Sequence, residues 1–265
     1  MSYFAPNAYL IYNFIYLIYE CLVKIFHFFT VYKISNVDTF VLVLNSSSII
    51  LYDNKFNKIS SNKRIGPHNK DILDILFGSL LGDCHAEFRN KGNGTRFCFY
   101  QESSHSSYIE WLHSIISDLG YTSTKKPIIQ TRLGKKGNVR KVIRFKTWTY
   151  SSFNWIYEIW YNDKTKIVPS NIGEYLTPLA LAIWIMDDGT KSGVGLKLST
   201  NSFSYSECLL LVKVLYNKFK LKASIQSSGV DNQYVIYIWK ESMPLLKEII
   251  LPYVHSSMKY KLNIK

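Results

Sequence analysis

ILDILFGSLLGD (residues 72–83) and LALAIWIMDD (residues 179–188) decide how this chain folds. Each is an apolar run of helical length, and each closes on an aspartate, Asp83 in the first and Asp188 in the second. An aspartate is badly placed there, because a helix C-terminus already presents partial negative charge. At the end of a buried helix the carboxylate also loses its water and needs a partner. Small residues lie along both runs, Gly78 and Gly82 on the first and Ala180 and Ala182 on the second, so the two helices are expected to pack closely and bring the acids together. Two carboxylates that close repel each other unless a cation intervenes. A hard divalent ion completed by phosphate oxygens and water suits such a pair, which makes Mg²⁺ the expected cofactor. A plain turn at Asp83-Cys84 or Asp188-Gly189 would explain either acid alone, whereas repetition at matching positions favours the metal site. Asp187 occupies the place of Gly82 and reads as a supporting or capping residue.

Outward from these runs the chain repeats itself, the signature of duplicated architecture. After the first run a strand is expected over 96–101 and a helix over about 105–119. A hairpin over 128–133 and 142–148 turns at residues 134–138, and a helix over 152–161 precedes Lys166. After the second run the order returns as a strand over 195–201, a helix over 205–219, a hairpin over 223–227 and 233–239, and a helix over 243–250 ahead of Lys261. Landmarks pair in sequence: Gln101 with Asn201, Gln130 with Gln226, Trp148 with Trp239, Lys166 with Lys261. Each unit is an α+β module of helix, strand, helix, hairpin and helix. Residues 65–166 make the first and 167–265 the second, so one chain does what a twofold dimer does with two and is expected to be a monomer.

The 265 residues are 47% hydrophobic, enough for a substantial core, and carry a formal charge of +13, which points to a polyanionic partner. Residues 1–60 balance Lys24, Lys33, Lys55 and Lys58 against Glu20, Asp38 and Asp53, so the basic excess lies beyond them. On the first hairpin Gln130 and Arg132 alternate with Ile129 and Thr131, and Arg144 and Lys146 with Ile143 and Phe145, which puts the polar set on one sheet face. Such side chains suit base edges, and Lys135, Lys136, Arg140 and Lys141 near the tip suit phosphates. Ser224, Gln226 and Ser228 repeat the polar pattern on the second hairpin with far less charge. Trp155, Tyr157 and Trp160 read as core, and His85 and His105 are not expected to be ligands.

Cys21, Cys84, Cys98 and Cys208 form no C-x-x-C pair, so no zinc knuckle or disulfide framework is indicated and a reducing compartment is expected. Heavy use of Phe, Tyr, Ile, Asn and Lys fits an AT-rich genome, an organelle's or an AT-rich bacterium's. No transit peptide is visible, since the first arginine is Arg64 and Glu20 interrupts the opening stretch. Residues 1–60 read as a hydrophobic leader. Within it, residues 9–32 are long enough for a membrane span, yet Asn13, Glu20, Lys24 and His27 recur through them and a charge in lipid is costly. Membrane association and a loosely packed leader both stay open.

LFGSLLGDC (residues 76–84) and LAIWIMDDG (residues 181–189) resemble the paired signature of LAGLIDADG homing endonucleases, closest to the single-chain, two-motif type encoded in group I introns of fungal mitochondrial genes. The resemblance runs from residue 65 to residue 262 and leaves out residues 1–60. It departs from the ideal motif at Ile183, Trp184 and Cys84. The resemblance implies two four-stranded antiparallel sheets forming a saddle along the DNA major groove, with the motif helices at the centre. Asp83 and Asp188 would bind two or more divalent ions. Lys166 and Lys261 would stand near the scissile phosphates, and Gln101 and Asn201 would help order the catalytic water. Expected on this basis is site-specific double-strand cleavage in a mitochondrion, promoting intron homing. An RNA maturase that assists splicing of the host intron is the alternative, and a DNA-binding protein without catalysis is a third.

Overall fold

In the computed structural model the described residues are 59–134 and 137–264. Of the segment before them, only the backbone of three short strands is described: β1 (Tyr32–Lys33), β2 (Thr39–Leu42) and β3 (Ile50–Asp53), an antiparallel sheet in the order β1-β2-β3. They belong to a unit, 1–59, separate from the unit 60–265 that holds both repeats. The 9–32 segment, apart from the backbone of Tyr32, lies outside the described residues. No helix among the described residues is long and apolar enough to cross a membrane.

Each repeat opens on its apolar helix. The first, α1 (Lys70–Leu81), starts where the Asn69 side chain accepts a bond from the Asp71 amide. The chain then makes β4 (His85–Arg89) and β5 (Gly94–Glu102), α2 (Ser106–Asp118), the hairpin β6 (Ile129–Leu133) and β7 (Val139–Lys146), and α3 (Asn154–Trp160). A two-residue ribbon, β8 (Tyr161–Asn162) with β9 (Thr165–Lys166), and the single turn α4 (Ile172–Tyr175) lead to the second repeat.

The second apolar helix, α5 (Pro178–Asp188), begins with Thr177 capping the Ala180 amide and proline in its first turn. It is followed by β10 (Gly189–Ser192), β11 (Gly195–Thr200), α6 (Tyr205–Phe219), β12 (Ala223–Ser227), β13 (Tyr234–Ile238) and α7 (Met243–Ile250). A reciprocal Ser204–Glu207 capping box fixes the start of α6. A 3₁₀ segment, Ser256–Leu262, carries Lys261.

The two sheets share one plan. The first has the order β4-β5-β7-β6 and the second β10-β11-β13-β12, antiparallel throughout. Each module therefore has two strands after its motif helix, where the sequence pattern indicates one. β4 and β10 are the reason: both are short edge strands, HAEFR and GTKS, in which only Ala86 and Gly189 are buried. Too little apolar alternation remains in either to be read as a strand.

The core forms between the inner faces of the sheets and the helices. The most intimate contact joins α1 to α5. A methyl group on Gly78 would run into the Ala180 carbonyl and Cα, and one on Gly82 would come within 2.5 Å of the Asp187 Cβ. The small residues are thus where the helices cross, as their spacing predicts. Ile183 and Trp184, bulkier than the ideal motif, are fully buried on the same helix.

Candidate active site

The crossing carries the ends of α1 and α5 to one place. Asp188 is the last residue of α5. Asp83 corrects the expectation from sequence: α1 stops at Leu81 and Asp83 lies two residues beyond, in the turn before β4. Leaving the helix there puts its carboxylate within reach of Gln101 on β5.

Three carboxylates gather at this point. Gln101, buried on β5, donates from Nε2 to Asp83 Oδ2 at 2.7 Å and more weakly to Asp187 Oδ1 at 3.5 Å. The Tyr108 hydroxyl donates to the same Asp187 oxygen at 2.8 Å. Asp187 is therefore a half-buried member of the cluster, seated in the space that Gly82 leaves open. Burial, reinforced by Asp83, pushes the Asp187 carboxyl well above the ordinary range. Asp83 is raised by burial, offset by the Gln101 bond and by Lys261 and Lys166. Asp188, which accepts no hydrogen bond among the described residues, is pushed by burial and by Asp83 up to about 7. Carboxylates that hold their protons this tightly are electrostatically underserved. A hard cation would relieve them, and the all-oxygen donor set suits one.

Both predicted lysines are at the site, Lys261 buried and Lys166 half-buried. Lys166 Nζ donates to the carbonyls of Leu80, Gly82 and Cys84 at 2.9, 3.1 and 3.0 Å. Lys261 donates to the carbonyls of Met186 and Asp187, the latter at 2.9 Å. Each ammonium thus closes the C-terminal end of its own repeat's motif helix, where the backbone favours a cation. Burial lowers both lysines, and nearby acidic groups, the three aspartates among them, partly restore them.

Asn201 does not join them. It lies one residue past the end of β11, exposed, with its amide donating to Gln233 Oε1 at 3.1 Å. His105, passed over in sequence, sits beside the site: its Nδ1 is 3.2 Å from Gln101 Oε1 and its Nε2 is 3.3 Å from the Tyr260 hydroxyl. Tyr108 was also missed, and a tyrosine in an amphipathic helix gives no sign that its hydroxyl meets an acid of the other repeat.

Strand register defines the outer face of the first sheet. Gln130, Arg132, Arg140, Arg144 and Lys146 share it with Arg96, Glu87, Cys98 and Tyr100, while Lys141 lies on the opposite side of the pleat. Lys135 and Lys136 lie outside the described residues. Arg144 donates to Gln130 at 3.1 Å and Arg132 stands over the Tyr100 ring. Glu87 receives Arg96 at 2.6 Å and Lys146 at 3.0 Å. Partial burial works to raise its pKa, but these two partners outweigh it and bring it down to about 2. His85 and Cys98 could complete a metal-ligand trio with Glu87, but a carboxylate already neutralised twice serves better as an anchor for the two cations. On the second sheet the corresponding face carries Ser224, Gln226, Ser199, Tyr237 and a single cation, Lys197; Ser224 accepts the Trp239 indole N–H at 3.1 Å. Ser228 follows directly after the end of β12.

The fold and site define a pseudo-twofold α+β protein with a paired-carboxylate centre at crossed helix ends and a basic sheet face beside it. The chain belongs to the LAGLIDADG DNA endonuclease family, whose model matches residues 73–246. It is 49% identical over 227 residues to the cytochrome b mRNA maturase bI2 of Saccharomyces cerevisiae, covering 83% of this chain and 54% of that protein, so it spans about half of that relative's length. To the maturase bI2 of Debaryomyces hansenii it is 48% identical, covering 74% of this chain and 75% of that one. Among solved structures, the homing endonuclease I-WcaI bound to its DNA recognition sequence is similar with a TM-score of 0.67 and 26% identity, over 74% of this chain and 88% of that one.

Proposed function

We propose that the protein is a site-specific double-strand DNA endonuclease of intron homing, working in a mitochondrion and cutting by divalent-metal-dependent phosphodiester hydrolysis. One observation carries the reading: two acids, one from each repeat, come together at crossed helix ends, and each end is closed by a lysine bonded to the helix's last carbonyls. A purely structural turn has no use for so much unrelieved charge.

Asp83 and Asp188 would hold the metal, Mg²⁺ in the cell. When bound, it supplies a water acidic enough to attack at neutral pH and neutralises charge on the departing oxygen. The chain's own groups do the rest. Gln101 fixes one oxygen of Asp83 and leaves the other free. Lys166 and Lys261 hold positive charge beside the place where phosphate must sit. The outer faces of the two sheets bind the duplex, the first through Arg132, Arg140, Arg144 and Lys146, the second through Ser224, Gln226 and Ser228.

The maturase reading rests on a different observation, the 49% identity to a cytochrome b mRNA maturase. One experiment separates the two. Purified protein is incubated with Mg²⁺ and a library of intronless target duplexes, beside Asp83→Asn and Asp188→Asn, and in parallel with precursor RNA containing the intron. Cleavage by the parent chain alone supports the endonuclease. Splicing without any cleavage would replace it with the maturase.

A further inference from the structure

The first acid is held by a chain of hydrogen bonds that the second lacks. Gln101 Nε2 donates to Asp83 Oδ2, and on its other side Gln101 Oε1 lies 3.2 Å from His105 Nδ1. His105 Nε2 in turn lies 3.3 Å from the hydroxyl of Tyr260, which is next in sequence to Lys261. A carboxamide has a donor end and an acceptor end of almost the same shape, so only its partners decide which way it faces. If Gln101 turned over, its oxygen would confront the Asp83 carboxylate.

We propose that His105 and Tyr260 are positioning residues that hold the Gln101 amide with its N–H toward Asp83, giving the first acid an orientation the second does not have. The assignment follows donor by donor. Gln101 Oε1 can only accept, so His105 must carry its proton on Nδ1. Nε2 of the neutral ring then accepts from the Tyr260 hydroxyl. Every atom in the row has one consistent role. Because Tyr260 comes from the second repeat and the other three residues from the first, the row also crosses between the halves.

At the corresponding place in the second repeat the row is missing. Asn201 turns outward to Gln233, and the residue four positions on, where the first repeat has His105, is Tyr205, whose ring packs edge-on against Tyr234. A duplex laid across a pseudo-twofold presents one scissile phosphate to each half. Loss of the row should therefore slow one strand and spare the other.

The inference rests on the endonuclease reading for its kinetic consequence but not for its geometry, and two measurements keep the failures apart. In the full chain labelled with ¹⁵N-histidine, the His105 ring, assigned by loss of its signals in His105→Ala, should be the neutral Nδ1–H tautomer, with Nε2 shifting in Tyr260→Phe. An Nε2–H tautomer overturns the proposal whether or not the protein cuts DNA. With a duplex labelled separately on each strand, His105→Ala should slow one strand by about 10-fold or more and accumulate nicked duplex. Affinity for the duplex should not change, and Tyr260→Phe should follow with a smaller loss. His105→Asn, whose amide can donate from the position of Nδ1, should recover most of the rate. Equal slowing of both strands, or an asparagine variant no better than alanine, overturns the positioning role. A parent chain that cuts no duplex defeats the endonuclease reading instead, and the tautomer still decides the geometry.

Discussion

The two repeats share a strand order, a helix crossing and a lysine at each helix end, yet they equip their acids differently. Asp83 accepts from Gln101, whose other end meets His105; Asp188 accepts no hydrogen bond among the described residues and is pushed up to about 7. Tyr108 gives its hydroxyl to Asp187, while Cys208, at the same distance beyond Asn201, bonds Thr200 instead. The outer faces differ in the same direction: Arg96, Arg132, Arg140, Arg144 and Lys146 on the first, Lys197 alone among serines and glutamine on the second. The halves share what makes the fold and differ in the polar side chains it carries. On the proposed reading the first repeat would do most of the gripping and orienting, and the second would supply the matching acid.

The comparison should vanish for the acids themselves. Asp83→Asn and Asp188→Asn should each reduce double-strand cleavage by about 1000-fold or more, since cutting both strands needs both acids. A variant that kept a tenth of the parental rate would make one acid dispensable and break the shared site. The halves should part in their response to pH. Asp188 has its carboxyl raised in the folded state to about 7, so the folded form binds the proton more tightly than the unfolded chain. Its contribution is greatest below the unfolded pKa near 4 and is lost as pH rises toward 7. In EDTA, Asp188→Asn should therefore become more stable than the parent as pH rises from 4 to 8, by at most about 4 kcal/mol. Asp83→Asn should gain less, because Gln101 already relieves that carboxylate. Thermal melts across the range give both, and equal gains would erase the difference.

Smaller effects sharpen it further. Gln101→Ala should lower the cleavage rate by roughly 10- to 100-fold, whereas Asn201→Ala should change it less than about 2-fold, within the range of exposed substitutions. Gly78→Ala drives a methyl into the backbone of Ala180 and should lower stability by about 1–3 kcal/mol in urea titration. Last, each first-sheet arginine changed to glutamine should flatten the salt dependence of DNA binding by about one phosphate's worth, a slope change of ~0.9. Ser224→Ala and Gln226→Ala should leave that slope unchanged; equal slopes from the two sheets would show that the charge difference has no role in binding.

Much of this was legible in the residues, for definable reasons. α6 (Tyr205–Phe219), β12 (Ala223–Ser227) and α7 (Met243–Ile250) lie where periodicity puts them, because an apolar face and a cap or turn agree at each. Gly78 and Gly82 announced the crossing because close approach excludes a side chain. The edge strands β4 and β10 were hidden, since a strand bonded on one side can be short and polar. Asn201 misled because spacing fixes position along the chain but not reach. Gln101 lies inside β5, whereas Asn201 falls past the end of β11 with a side chain one methylene shorter. The role of His105 depends on which ring nitrogen meets which amide atom, and no pattern of residue types records that. Lys135 and Lys136 keep only their expected place at the hairpin tip.

Lys166 carries one further consequence. An ammonium has three N–H bonds, and here they point to three carbonyls, those of Leu80, Gly82 and Cys84. In the proposed reaction this lysine would offer its electric field and no free N–H, so the departing oxygen would take its proton from another donor. Lys261 is bonded to two carbonyls, and among the described residues its third N–H has no partner. The two halves of one reaction would then end with protons drawn from different sources.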